Sequence, residues 1–194
     1  MMDKIISKLR EKFAEIEDHR SHNISYELED LLSIGYAMFS LKDSSLSRFR
    51  DLYPVRRENL KRVYGIEKLP GDTAFRGGLD GVSPSDIESI FKVPINILRE
   101  KNVFKKRHVL GCYTAVNFDG TGHFCSNAQR CPYCLVKTME NGKQQYYHQL
   151  LGSAAVHPDE ATVFSIACEA IVQQDGCEKN DCEQNAAKRL IPKV

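Results

Sequence analysis

The chain has 194 residues, 42 % of them hydrophobic, and its 27 Lys+Arg against 26 Asp+Glu leave a net charge of +1. This excludes a disordered polyelectrolyte and leaves room for one large domain or two small ones, each able to bury a core. No apolar run approaches a membrane span, and Met1 to Arg20 mixes acids with bases, unlike a secretory leader; a cytoplasmic protein with no membrane partner is expected.

Ile5, Ile6, Leu9, Phe13 and Ile16 recur at helical spacing and predict an amphipathic helix over 3–19. Ser25 is a plausible cap for a second helix running to about Ser40, apolar nearly all round and so expected to be buried. Shorter helices follow over 44–53 and 55–64. Pro70-Gly71-Asp72 then breaks the chain before a helix of about 73–79. Ser83-Pro84 opens another helix, which Pro94 is expected to end.

The piece from Asp72 to about Val93 has the outline of a helix-turn-helix, although αα-hairpins without a nucleic-acid role share it. Basic residues gather before it: Arg48, Arg50, Arg56, Arg57, Lys61, Arg62 and Lys68, interleaved with Phe49, Tyr53 and Tyr64. Such a run either neutralises DNA phosphates or is a solvated helical face. Residues 1–107 hold 20 Lys+Arg against 17 Asp+Glu, and residues 108–194 hold 7 against 9, so the positive half is the first. Lys101–Arg107 has few apolar residues and is taken as the linker between a helical region, 1–107, and a strand-rich one, 108–194.

The second region opens with a predicted strand over 109–118. Alternation places Leu110, Cys112, Thr114, Val116 and Phe118 on one face and Asp119 on the other, at the carboxyl end. Asp119 there is either a hard-metal ligand or the start of an Asp-Gly turn. Strands are expected at 144–156, after the Asn141-Gly142 turn, and at 162–168, after a turn at Asp159-Glu160. A helix follows, capped by Asp181. The expected class is therefore α+β: a helical region, then three antiparallel strands and a helix.

Seven cysteines, an odd number, read as thiols or metal ligands in a reducing compartment. His123, Cys125, Cys131 and Cys134 form a candidate zinc set, because Cys-x-x-Cys on a tight knuckle turns two thiolates to one side. His148 on the returning strand is a rival fourth ligand, and a redox Cys-x-x-Cys is the competing reading. Cys112 and Cys168, placed in strands, are expected to be small core residues. Glu178, Asp181 and Glu183 form an acidic cluster that helix capping by Asp181 explains.

Four features of the second region resemble bacterial insertion-sequence transposases of the DDE type. They are Asn117-Phe118-Asp119-Gly120-Thr121 after a strand, the Cys-x5-Cys-x-x-Cys excursion, the His157-Pro158-Asp159 turn, and the run from Glu178 to Leu190. Leu31 to Ser40 and Leu69-Pro70-Gly71-Asp72-Thr73 resemble the same family more loosely. The resemblance implies a ribonuclease-H-like catalytic domain in which three carboxylates hold two divalent metals, normally magnesium. Asp119 would match the first carboxylate, and the others would lie beyond the helix that starts at Asp181, where this sequence ends. The implied function is transposition, here in a truncated form that keeps only DNA binding through Arg48–Lys68 and the 72–93 helix pair. The implied partners are the element's terminal-repeat DNA and a second copy or a full-length transposase. The alternative is a non-catalytic, zinc-stabilised DNA-binding or regulatory protein.

Overall fold

The computed structural model describes residues 2–21, 24–173 and 181–194. The protein is α+β, and the chain divides after Ile97 into two compact units, 1–97 and 98–194.

The first unit is helical. Its helices are α1 (Met2–Ala14), α2 (Leu28–Ser40), α3 (Leu46–Asn59), α4 (Asp72–Leu79) and most of α5 (Pro84–Glu100). α1 is shorter than its apolar periodicity predicts. Glu15 and Ile16 bond back three residues, tightening the last turn, and Asp18 then accepts from the Arg20 backbone and guanidinium, which diverts the chain. The buried face of α2, Leu31, Ile34, Ala37 and Met38, meets Phe49, Leu60, Ile66 and Phe75 in one cluster. A second cluster joins Leu9 and Phe13 of α1 to Leu28, Leu32 and Ile90.

Both prolines expected to interrupt helices lie inside them. Pro54 sits within α3, which is one helix rather than two, and Pro94 sits within α5. A proline costs its own N–H bond and the carbonyl four residues back, yet its fixed φ is helical, so packing on both sides can carry the helix through. Phe49 and Leu60 flank Pro54, and Ile90 and Ile95 flank Pro94, all buried. The chain leaves α3 through a π-turn, Leu60–Tyr64, closed by Gly65 at φ 71° with Ile66 N–H donating to the Leu60 carbonyl.

The second unit is a four-stranded antiparallel sheet with one helix, α6 (Glu183–Leu190), packed on it. The strands are β1 (Ala115–Ser126), β2 (Leu135–Thr138), β3 (Gln144–His157) and β4 (Glu160–Ile171). β3 is central: β1 pairs along one edge, and β4 and the short β2 share the other. Leu151, Ala155, Ile166, Ala167 and Ile171 form the core with Ala186 and Leu190 of α6. Pro158 and Asp159 make the β3–β4 turn, as expected from His157-Pro158-Asp159.

Several expectations for this unit are corrected. Residues 109–114 are not strand: Leu110 at φ 49° and Gly111 at φ 87° form a turn closed by a bridge between Val109 and Tyr113. β1 starts later and runs through Asp119-Gly120-Thr121-Gly122 without turning, because β3 is long enough to offer partners out to Ser126. Cys112 and Cys168 are exposed, not core; Cys168 faces Gly152 on the side of the sheet away from α6. Lys101–Arg107 is no linker either. Phe104 packs edge-on to Phe164, and Arg107, only 4 % exposed, pairs with Glu160 and donates to the Thr162 carbonyl.

Asp181 does not cap α6; Cys182 does. Asp181 stands one residue earlier and accepts from the Cys182 N–H, the Asn185 amide and Arg189, while Arg189 also grips Glu169 on β4 and Lys193 bonds Glu169 as well. Burial works to raise the Asp181 and Glu169 carboxyls, but these donors outweigh it and hold both below their ordinary values. A carboxyl with a lowered folded pKa adds stability above the unfolded value, and loses it as pH falls through the folded one. The helix–sheet contact should therefore weaken on acidification below the ordinary carboxylate range. Asp181→Asn should flatten that limb of a thermal-unfolding pH series; an unchanged slope would assign it elsewhere. Glu178, the first member of the acidic cluster, lies outside the described residues.

Candidate metal centre and charged surfaces

Cys131 and Cys134 lie on a tight turn between β1 and β2, in which Cys134 N–H donates to the Cys131 carbonyl. The Cys131 N–H in turn donates to Cys134 Sγ at 3.2 Å. His148 reaches the same point from β3: its Nε2 is 3.3 Å from Cys131 Sγ and 3.5 Å from Cys134 Sγ, and the two sulfurs are 3.7 Å apart. The sulfurs are far outside disulfide distance, about 2.05 Å. Around a tetrahedral ion with bonds of about 2.3 Å to sulfur and 2.0–2.1 Å to nitrogen, the edges would be about 3.8 Å for S···S and 3.5 Å for S···N. The observed triangle has nearly those edges. These three residues can hold a metal ion. Burial, with the nearby His123 as a smaller cause, lowers the His148 pKa and so favours the neutral imidazole that a ligand must be.

Of the ligand set expected from sequence, Cys131 and Cys134 stand in this triangle; His148, the rival ligand, completes it, and the His123 ring stacks on His148 outside it. A β-bulge explains the loss of Cys125. Gly122 faces Gln149, but Phe124 rather than His123 faces His148, so the strand changes phase at His123. Plain alternation would keep Cys125 on the His148 side. After the bulge it is opposite Tyr147 and lines a shallow groove on the other face with Lys137 and Gln145.

Asp119 is exposed in the middle of β1, opposite Gly152. Val116 and Phe118 pack on the core cluster, so Asp119 points to the sheet face away from α6. Among the described residues no hydrogen bond or ion pair engages its carboxylate, and no second and third ligand stand beside it. Glu183, a member of the acidic run, packs over Gly120 on the opposite face and accepts from Gln149 Nε2 at 2.8 Å. A pair of magnesium ions is therefore not fitted by the described residues: one carboxylate is present where three are needed.

The basic run on α3 is split. Arg50 and Arg57, seven residues apart, share one flank, and Asp51 and Glu58 form the strip beside them, with Arg48 and Arg62 beyond. Arg56 is tied to Asp43 at 2.6 Å, and Lys61 to Glu67 at 3.0 Å. Arg48, Arg50, Arg57, Arg62 and Lys68 are exposed and make no ion pair among the described residues. The helix pair α4–α5 is present with a short turn between, but the exposed first half of α5 carries Asp86 and Glu88 before its first base, Lys92. A recognition helix usually brings its first turns to the DNA, so this face suits phosphate poorly. No helix of the described residues is long and apolar enough to cross a membrane.

No protein-family model matches the chain, and neither a curated protein nor a solved structure matches it.

Proposed function

We propose that the chain is of the DDE-transposase type, binding DNA through α3 and contributing Asp119 of a ribonuclease-H-like domain, without cleaving DNA by itself. The observation that carries this reading is the placement of Asp119. It is an exposed carboxylate at the centre of β1 with no partner among the described residues, in an antiparallel β1–β3–β4 succession whose next described element is a helix on one face. That is the order in which a ribonuclease-H-like domain begins, and it agrees with the motifs around Asp119, His157-Pro158-Asp159 and Asp181 to Leu190. The excursion between β1 and β3 is held by zinc at Cys131, Cys134 and His148: two thiolates and an imidazole suit zinc, and hard cations prefer oxygen. Zinc here supplies a cross-link for a segment with little core of its own.

Terminal-repeat duplex from the chain's own element should bind about a thousandfold or more tighter than scrambled duplex of equal length. Equal affinity for the two would overturn the transposase reading, as would magnesium-dependent cleavage by this chain alone for its second clause. Each phosphate contact contributes about 0.9 to the slope of log affinity against log salt. Arg50→Ala with Arg57→Ala should therefore reduce that slope by about 1.8, measured by fluorescence anisotropy. An unchanged slope would take the DNA surface away from α3.

A further inference from the structure

Two thiolates and His148 leave the fourth corner of the tetrahedron to be assigned, and the bulge in β1 points to its occupant. Two successive residues of a bulged strand oppose one on the partner. His123 and Phe124 accordingly both lie against His148, the His123 ring stacked at 5.6 Å and 23°, the Phe124 ring tilted at 5.5 Å and 49°. His123 is thus the residue of β1 whose ring stacks on the ligand His148, while it also borders, with Cys125, the groove beside Tyr147. The His123 ring nitrogens stand outside the group of ligand atoms that Cys131, Cys134 and His148 form.

We infer that the centre is a closed Cys2His2 zinc site, with His123 joining Cys131, Cys134 and His148. This rests on the zinc reading above. A closed set of four protein ligands is the pattern of zinc used for structure, and a site left open at the fourth position is the pattern of zinc that activates water. His123 therefore decides between a staple and a reactive centre.

Cobalt(II) substituted into the full chain tests this, because its visible bands report coordination number and its sulfur charge-transfer intensity counts thiolates. The wild type should show a four-coordinate spectrum with two thiolates. His123→Ala should weaken cobalt and zinc binding by more than about a hundredfold, beyond the loss of an outer-shell partner, and shift the visible bands. His123→Cys should raise the charge-transfer intensity by about half, from two thiolates to three, a gain that misfolding cannot mimic. Cys125→Ser should leave both spectrum and affinity unchanged. His123→Ala with wild-type spectrum and affinity would overturn the assignment, and so would Cys125→Ser that lost one thiolate's intensity. A wild-type chain that takes up neither cobalt nor zinc would instead remove the zinc reading, and this inference with it.

Discussion

Cys134→Ser is expected to abolish tight zinc binding and to loosen the outer half of the second unit while the inner half stays folded. Cys134 is the buried thiol of the pair, 3 % exposed, and it holds both the Cys131 N–H and one edge of the ligand triangle. A hydroxyl in its place is a poor zinc ligand, so the loss should exceed the roughly 10–100-fold cost of removing an outer-shell partner. What remains beyond Gly122 and Gln149 is the four-residue β2, the far end of the β1–β3 ladder, and two side chains of the core cluster, Leu135 and Tyr147. With zinc at a thousand times its dissociation constant, the bound ion contributes about 4 kcal/mol to whatever folds around it. Amide exchange should therefore quicken across residues 123–148 in Cys134→Ser, and not in β4 or α6. A chelator should reproduce that pattern in the wild type and add nothing in the variant. Equal zinc content in the two proteins after dialysis against chelator would sink the metal centre.

All three corners of the triangle are named in the sequence, but His148 only as a rival to His123, and that ambiguity has a definite cause. Cys-x-x-Cys fixes its own geometry over four residues, so Cys131 and Cys134 are readable from spacing alone. The rest depends on which side of a strand a residue faces, and one inserted residue reverses that for everything after it. His123 and Cys125 share a face by alternation, and the bulge breaks that alternation; Gly120 and Gly122 just before it are the only local sign of it. β2 could have been found. Asn141-Gly142 is a hairpin turn, and a hairpin needs a strand before it as well as after, which leaves Leu135–Thr138 as the partner of β3.

Asp119 shows the opposite balance. Its side of the strand was read correctly, because Val116 and Phe118 carry the alternation on either side of Asn117. Its position along the strand was not, since Asp-Gly signals a turn only where no partner strand continues. The prolines fail as punctuation for a related reason. Pro54 and Pro94 sit between residues that the fold buries, and the tertiary contacts outweigh a local cost of about 3 kcal/mol. Charge patterns were the least reliable. The α3 run reads as one stripe in sequence, but acids at the same seven-residue spacing divide it, and Asp43 and Glu67 engage two of its members.

Arg107 is the extreme case, a residue taken for linker charge that belongs to a core. Its guanidinium lies 5.0 Å from the Phe164 ring centre, its side chain is 5 % exposed, and Glu160, its ion-pair partner, is 44 % exposed. Arg107→Ala should destabilise the second unit by about 2–3 kcal/mol, from the lost packing of the stem and the bonds to Glu160 and the Thr162 carbonyl. Charge is not what should matter most. Glu160 can return to water once unpaired, and the Arg107 Nε–H is buried without a partner, so part of the pair's gain is already offset. Arg107→Met, which keeps the apolar stem over Phe164 and removes that donor, should therefore cost less than about 1 kcal/mol. Denaturant unfolding followed by amide exchange in β4 separates the two effects. Equal losses in the alanine and methionine variants would make the ion pair the dominant contribution, and an alanine variant as stable as the wild type would return Lys101–Arg107 to the role of a linker.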